Sequence, residues 1–208
     1  MKKIVLLILL FCALSAMCFA QYNFELFGGM PLAWDNGKII GYDATIQTMS
    51  ISFGFGLKYD INDRISLCLY DEIIFPQTLE ITVAGVKSNI NRDAYDLLMG
   101  MSVLIGPVFN LYSNSQGKMK IPLTFGIRWM WLIASTEYAM VFGSNFGLGA
   151  GIGMQYNASK KIYIFGRVML YYDFYAFSLT TVGSVSTSDS GIISSFGFTP
   201  NIGIGIKF

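Results

Sequence analysis

The feature that most constrains the fold is a strict alternation of large apolar residues with small or polar ones. Residues 49–59 read M-S-I-S-F-G-F-G-L-K-Y, so every second residue is large and apolar, and serine, glycine or lysine lies between. Successive side chains of a β-strand point to opposite faces, whereas this period of two would wrap around every side of a helix. The segment is therefore predicted to be a strand with one apolar face and one polar face.

Seven other segments follow the same pattern and bring the predicted strand count to eight. The eight predicted strands are residues 22–32, 49–59, 65–75, 98–112, 119–133, 146–157, 162–174 and 196–208. Each is near or above the nine to eleven residues that a tilted strand needs to cross a hydrocarbon layer. Residues 138–159 are uncharged and long enough for a membrane helix, but each of their glycines would cost about 1 kcal/mol in a helix interior.

The two faces of these strands differ in a way that predicts which one meets lipid. The polar face is crowded with glycine and serine, which suits the narrow inside of an eight-stranded barrel. The apolar face would be an extended sticky surface in water, but a bilayer solvates it, and closure of the barrel leaves no unpaired strand edge. The predicted fold is all-β: an eight-stranded antiparallel up-and-down transmembrane β-barrel with short periplasmic turns and longer outer loops.

Residues 1–20 are predicted to be a cleaved signal peptide that precedes the barrel of residues 21–208. Lys2 and Lys3 are followed by an apolar run that is short for a membrane span, and Ala20 supplies a small residue at the expected cleavage site. Cleavage would leave Cys68 as the only cysteine, so no internal disulfide is expected. An alternative lipoprotein reading of Cys18 is disfavoured by the bulky Met17 before it.

One strand does not fit the pattern. Ile65, Leu67 and Leu69 point outward, and continued alternation would send Asp71 into lipid at a cost of about 1 to 3 kcal/mol. A β-bulge near Tyr70 and Asp71 would turn this carboxylate inward. We therefore predict a bulge there.

The signal peptide, the eight alternating strands and the final strand with its terminal aromatic residue together resemble the small bacterial outer-membrane β-barrel proteins, of the OmpX, OmpW and OmpA-membrane-domain types. The resemblance implies residence in the outer membrane among its lipids, including lipopolysaccharide-type lipids. It also implies handling by periplasmic chaperones and the barrel-assembly machinery, for which Ile202, Ile204, Ile206 and Phe208 match the recognition signal. These motifs are architectural, so they indicate a place and a fold rather than an activity.

Composition argues against several functions. The chain contains no histidine, and the known outer-membrane barrel enzymes resemble one another in using a histidine as base, so no enzyme activity is expected. The commonest metal ligand is missing as well, and no cofactor is expected. Without residues 1–20 there are 12 basic and 13 acidic residues, which provides no basic field for nucleic acid.

A mixed set of charges is predicted to face the barrel interior. Its members are Glu25, Lys58, Glu72, Lys120, Arg128, Arg167, Asp173 and Lys207. Eight strands leave an interior just wide enough for side chains, so the favoured interpretation is a structural plug of ion pairs. The alternative is a narrow pore whose Arg128 and Arg167 attract anions.

The sequence favours a structural or surface-interaction role in the envelope, with a surface ligand on the outer loops. Residues 76–96 and 183–191 belong to the predicted outer loops, and residues 79–86 could extend a hairpin whose edge pairs with a partner strand. The alternative function is a narrow porin-like channel for small or hydrophobic solutes, as the resemblance to OmpW-type barrels implies. In that reading Trp129, Trp131 and Phe198 would line a lateral exit.

Overall fold

The computed structural model describes residues 22–39, 42–114 and 116–208, with the side chains of 37–42 not described. The proposed signal peptide therefore lies outside the described residues. The strands are β1 (Tyr22–Gly29), β2 (Leu32–Ile39), β3 (Tyr42–Asp60), β4 (Ile65–Val83), β5 (Val86–Ile90), β6 (Leu97–Ser113), β7 (Met119–Ser135), β8 (Ala139–Asn157), β9 (Ile162–Val182) and β10 (Val185–Lys207). A short 3₁₀ helix, Arg92–Ala94, precedes β6.

These strands occupy eight positions around a closed antiparallel ring, which confirms the predicted architecture. β1 and β2 share one position because they pair with β3 and β10 in a single register on both sides of Pro31. Proline has no backbone N–H to give to the ladder, and the strand is interrupted there. The bonds from Met30 N–H to the Pro200 carbonyl and from Ser50 N–H to the Pro31 carbonyl hold the two halves in line. β5 forms a hairpin with the outer half of β4.

The strands are strongly tilted. A path through paired residues that starts at Phe24 returns to the same strand position at Trp34, ten residues farther along. The path passes through Leu57, Leu69, Ile105, Ile127, Leu148, Tyr172 and Phe196. With a strand spacing of about 4.8 Å and a rise of about 3.3 Å per residue, this stagger corresponds to a tilt of about 40°.

The outer surface of the ring is apolar. The side chains on this face, among them Phe53, Ile105, Ile127, Leu148 and Ile202, are largely exposed in the isolated chain, as lipid-facing residues would be. Aromatic residues mark both ends of the band, with Tyr22 against Tyr59 at one end and Trp129 stacked on Trp131 at the other. Such belts are typical of the two interfaces of a membrane.

No helix within the described ranges is long and apolar enough to cross a membrane.

The outer ends differ from the prediction. Residues 76–96 and 183–191 were expected to be loops, but most of them continue the strands: β4 reaches Val83, β5 returns beside it, and β10 begins at Val185. β8, β9 and β10 form one tall wall, and β2 to β5 form another. Pairing with the neighbouring strand satisfies the backbone of these segments despite their polar composition. The chain thus extends well beyond the apolar band on its outer side.

The predicted bulge at Tyr70 and Asp71 is wrong. The pairing of β4 with β3 and with β6 is unbroken there, with Asp71 opposite Phe55 and Val103. Tyr70 and Glu72 are buried inside the ring, so Asp71 faces outward. The large Tyr70 ring fits the space over Gly56 on the neighbouring strand, which fixes this register.

Candidate functional site: the plugged lumen and the outer vestibule

The inner end of the lumen is organised around the carboxylate of Glu25. One oxygen accepts a hydrogen bond from the guanidinium of Arg167 at 2.9 Å, and the other accepts from the Tyr163 hydroxyl at 2.8 Å. The ammonium of Lys58 lies 3.5 Å from the carboxylate. All four side chains are buried. One acid thus joins strands β1, β3 and β9.

The guanidinium of Arg167 also fills the centre of the barrel. It lies 3.8 Å from the centre of the Tyr70 ring, 4.3 Å from that of Phe27 and 4.9 Å from that of Phe165. A cation over an aromatic face is attracted by the ring quadrupole, and more strongly when water is excluded. Arg167 is therefore held by both an ion pair and a cage of rings.

A second cluster lies nearer the outer end. Arg128 forms an ion pair with Asp173, and its Nε donates a hydrogen bond to the Ser102 hydroxyl at 3.0 Å. Glu72 accepts a hydrogen bond from the Ser52 hydroxyl at 2.5 Å. Each of these side chains is buried and comes from a different strand. The contacts of Arg128 join β6, β7 and β9, and the Ser52–Glu72 bond joins β3 and β4.

The remaining predicted charges lie at the inner mouth. The ammonium of Lys207 donates to the side-chain oxygen of Asn157 at 2.8 Å and lies 5.5 Å from the centre of the Tyr163 ring. Lys120 is half-buried and borders a shallow space beside Asp63 and Arg64. Lys207 thus has its closest polar contact with Asn157 rather than with Glu25, although these residues lie at similar heights.

Apolar side chains complete the plug, and sequence reasoning missed most of them. Phe27, Leu104, Val108, Met169 and Tyr171 are buried inside the ring together with Cys68. Several fill space left by an inner-face glycine, as Leu104 does over Gly149. Most of these plug residues share one sequence signal, which is a large residue on the otherwise glycine-rich face of its strand, opposite a glycine on a nearby strand.

The middle of the barrel holds almost no space, whereas an open space of about 750 Å³ lies beside the inner turns at Lys120. The two internal spaces beside Arg167 measure about 10 Å³ each, room for one water at most. Above Arg128 the lumen widens into a cavity of about 410 Å³, which we call the outer vestibule. Its lining residues are Asp35, Asn36, Ala44, Ile46, Met130, Leu132, Gly143, Asn145, Ala176, Phe177, Ser178 and Ile193. This volume lies within the range of small-molecule sites.

The hydrogen-bonded ladder of the wall is interrupted next to a smaller space below the vestibule, where the 3₁₀ helix Arg92–Ala94 contacts β4 without pairing to it. β4 pairs with β6 only as far as Ile74 opposite Gly100, and its pairing with β5 begins at Leu79. Residues 75–78 of β4 and 97–99 of β6 therefore have no ladder partner across this break, which we call the lateral gap. The smaller space, of about 70 Å³, reaches from Arg128 and Asp173 to Pro76 at the rim of the gap.

The residues of the expected assembly signal lie on the last strand with their side chains outward. Ile202, Ile204, Ile206 and Phe208 are all exposed on the apolar face. The Phe208 N–H donates to the carbonyl of Tyr22, which closes the ring between the first and last strands. Within the described part of the chain, no group of three or more histidine, cysteine, aspartate or glutamate side chains is arranged to hold a metal ion.

Comparison with solved structures shows the fold to be that of small outer-membrane barrels. The outer membrane protein OprG from Pseudomonas aeruginosa superposes with a TM-score of 0.58 at 10% identity, covering 90% of this chain and 96% of that one. Neisserial surface protein A gives 0.55 at 14% identity, with coverage of 90% and 97%. The outer membrane protein AlkL gives 0.54 at 10% identity, with 90% of each chain covered. No protein-family model matches the sequence, and a search of curated proteins gave no match.

Proposed function

We propose that this chain is a bacterial outer-membrane barrel that admits small apolar or amphipathic molecules to its outer vestibule and releases them sideways into the membrane. This is the channel alternative of the sequence analysis in a specific form, with the route leaving through the wall. The proposed exit is not the one that the sequence analysis expected at Trp129 and Trp131. Both side chains lie on the outer face of the barrel, where β7 remains paired with β6 and β8.

The observation that carries the proposal is the lateral gap next to the smaller space below the vestibule. The interior space at the gap is lined by Ile74, Pro76 and Leu79 of β4, and its floor is formed by Arg128 and Asp173. An apolar molecule that passes from the vestibule into this smaller space, which shares Asp35, Met130 and Leu132 with it, would meet the unpaired stretch of wall. Lipid lies on the far side of that wall.

Passage straight along the barrel axis is disfavoured by the same geometry. Below the vestibule the lumen is crossed by the Arg128–Asp173 pair and then by Arg167 with its ring cage. Opening this path would leave buried charges without partners, which costs several kcal/mol per ion.

Cross-linking across the gap tests the lateral route. Gln77→Cys and Leu97→Cys in a Cys68→Ser background place two exposed thiols on opposite rims, which a bifunctional maleimide can join. The readout is protein-dependent uptake of the lipophilic dye N-phenyl-1-naphthylamine by cells that make the full chain. We expect cross-linking to lower the uptake rate at least fivefold.

The matched control carries Met140→Cys and Thr181→Cys, which face each other across the intact pairing of β8 with β9. Cross-linking this pair closes no gap and should leave uptake unchanged. Unaltered uptake after cross-linking residues 77 and 97 would contradict the lateral route.

A second candidate function is surface interaction through the outer walls. β5 pairs with β4 on one side only, and its residues are mostly exposed, so the described structure offers a free strand edge there. An extended segment of a partner could add to this edge. Replacing residues 81–88 with a two-residue turn would abolish such binding and leave dye uptake intact.

The route to the membrane forms part of the proposal. Residues 1–20 would direct export, and the outward row of Ile202, Ile204, Ile206 and Phe208 would present the assembly signal. Phe208→Ala should lower the amount of folded barrel in the outer membrane, measured as the heat-modifiable band on a gel. The same substitution should leave the stability of refolded protein nearly unchanged.

A further inference from the structure

The floor of the outer vestibule carries more acid than base. Asp35, Ser195 and Asp173 lie side by side on β2, β10 and β9, because Ser195 is paired with both aspartates. The Ser195 hydroxyl lies beside the Asp35 carboxylate, which is within electrostatic range of Asp173 and Arg128. Among the described residues no lysine or arginine nitrogen lies within 4.0 Å of its carboxylate.

Among the described side chains, the cation that borders this floor is Arg128, and its three nitrogens are engaged by other groups. Arg128 directs Nε to Ser102, Nη1 to Asp173 and Nη2 to the sulfur of Met130. Even so, Oδ1 of the buried Asp173 has no hydrogen-bond partner. Glu72 borders the same space and is bound by a neutral hydroxyl. Asp35 and Asp173 therefore share one guanidinium, whereas Glu72 lies between Arg128 and Arg167.

The walls above this floor are mainly apolar. Ile46, Leu132, Phe177 and Ile193 border the cavity that Asp35 enters from below. A carboxylate in such surroundings is poorly solvated, and a cation beside it offsets that cost. A neutral molecule of the same shape would leave the carboxylate uncompensated.

We infer that the outer vestibule selects amphipathic cations: a primary ammonium group bound at Asp35, with an apolar body against Ile46, Leu132 and Phe177. The inference rests on the proposed function, since it names the class of molecule that the same vestibule receives. It also fixes an orientation, with the ammonium toward the floor and the apolar body in the widest part of the cavity.

The test compares three probes of one size. Protein made from the full sequence and purified from outer membranes is placed in phosphatidylcholine nanodiscs and titrated calorimetrically with hexylammonium, hexan-1-ol and hexanoate. Empty nanodiscs supply the correction for partition into lipid. We expect hexylammonium to bind at least tenfold more tightly than hexanol, and hexanoate more weakly than either.

Asp35→Asn should reduce the preference for hexylammonium over hexanol to less than threefold, and Asp35→Glu should keep most of it. Asp189→Asn, which removes an exposed charge on β10, is the matched control and should behave as wild type. The heat-modifiable gel shift shows that each variant is folded. If Asp35→Asn fails to fold, the comparison of hexylammonium with hexanol on the wild-type protein still decides the inference.

The test distinguishes failure of this inference from failure of the proposed function. Equal binding of hexanol and hexylammonium, or a preference that survives Asp35→Asn, would overturn the inference and leave the vestibule as a general apolar site. Absence of binding by all three probes to folded protein would overturn both the inference and the proposed function.

Discussion

The guanidinium of Arg167 reaches across the barrel to donate a 2.9 Å hydrogen bond to the carboxylate of Glu25, on a strand two positions away around the ring. Both side chains are buried, and the space that remains beside them measures about 10 Å³. Arg167→Met would keep much of the side-chain volume and remove the charge, leaving Glu25 with only the more distant Lys58 and a hydroxyl.

We expect Arg167→Met to lower the free energy of unfolding by about 3–5 kcal/mol, because removing one partner leaves a buried charge uncompensated. Urea titration of refolded protein in lipid vesicles, followed by tryptophan fluorescence, measures this change. Arg92→Met, at an exposed position in the 3₁₀ helix, is the control and should cost less than about 0.5 kcal/mol. A similar small loss for Arg167→Met would show that the plug does not depend on this pair.

Replacing Asp71, unlike replacing Arg167, is expected to stabilise the barrel. Asp71 lies six residues from the start of β4, about 14 Å along the barrel axis, near the middle of an apolar band about 25 Å tall. Its Oδ1 is enclosed and has no hydrogen-bond partner. Asp71→Leu should raise the free energy of unfolding in a bilayer by about 1–3 kcal/mol, because it removes a polar group from hydrocarbon.

The same urea titration measures this gain. Asp63→Leu, in the exposed inner turn between β3 and β4, controls for the general effect of replacing aspartate with leucine and should not stabilise. A loss of stability in Asp71→Leu would mean that the carboxylate has a partner in the membrane.

The alternation of residues 49–59 was enough to predict the barrel, because a period of two with glycine on one face permits few other folds. The same period of two predicted that the side chains of Glu25, Arg128 and Arg167 point into the barrel. The acidic partners of Arg128 and Arg167 could not be derived in this way, since ion pairs such as Arg128 with Asp173 depend on the stagger of strands that are not adjacent in sequence.

The alternation could not predict the structure at the outer ends of the strands, for a different reason. Residues 183–191 are nearly all serine, threonine and glycine, a composition typical of a loop, yet residues 185–191 pair with β9 as a strand. Here the neighbouring strand decides the conformation and overrides propensity. The lateral gap was likewise invisible in the sequence, because it depends on where two strands stop pairing.

The contact between Gly205 and Tyr163 tests the packing of the plug. A Cβ added at Gly205 would overlap the Tyr163 ring, which is completely buried. Gly205→Ala should therefore destabilise the barrel by about 1–3 kcal/mol, as overpacking of a core does. In a Tyr163→Ala background the same substitution should cost at least 1 kcal/mol less, because the two residues share one space.

Gly166→Ala is the control for this cycle, since a Cβ there would have only one neighbour, at 3.9 Å. It should change stability by less than about 0.5 kcal/mol. Additive effects of Gly205→Ala and Tyr163→Ala would contradict the described packing.

Conductance decides whether the lumen is closed along its axis. The ring cage around Arg167 and the Arg128–Asp173 pair leave no continuous space through the barrel centre. Refolded protein in a planar lipid bilayer should therefore give no discrete current steps, even where the gel shift shows that it is folded. Arg128→Ala should lower thermal stability without producing such steps, because Arg167 and Tyr70 still fill the lumen below. Reproducible steps in the wild-type protein, with an ion selectivity that shifts in Arg128→Ala, would contradict the plug and make Arg128 and Arg167 the lining of an anion-attracting pore.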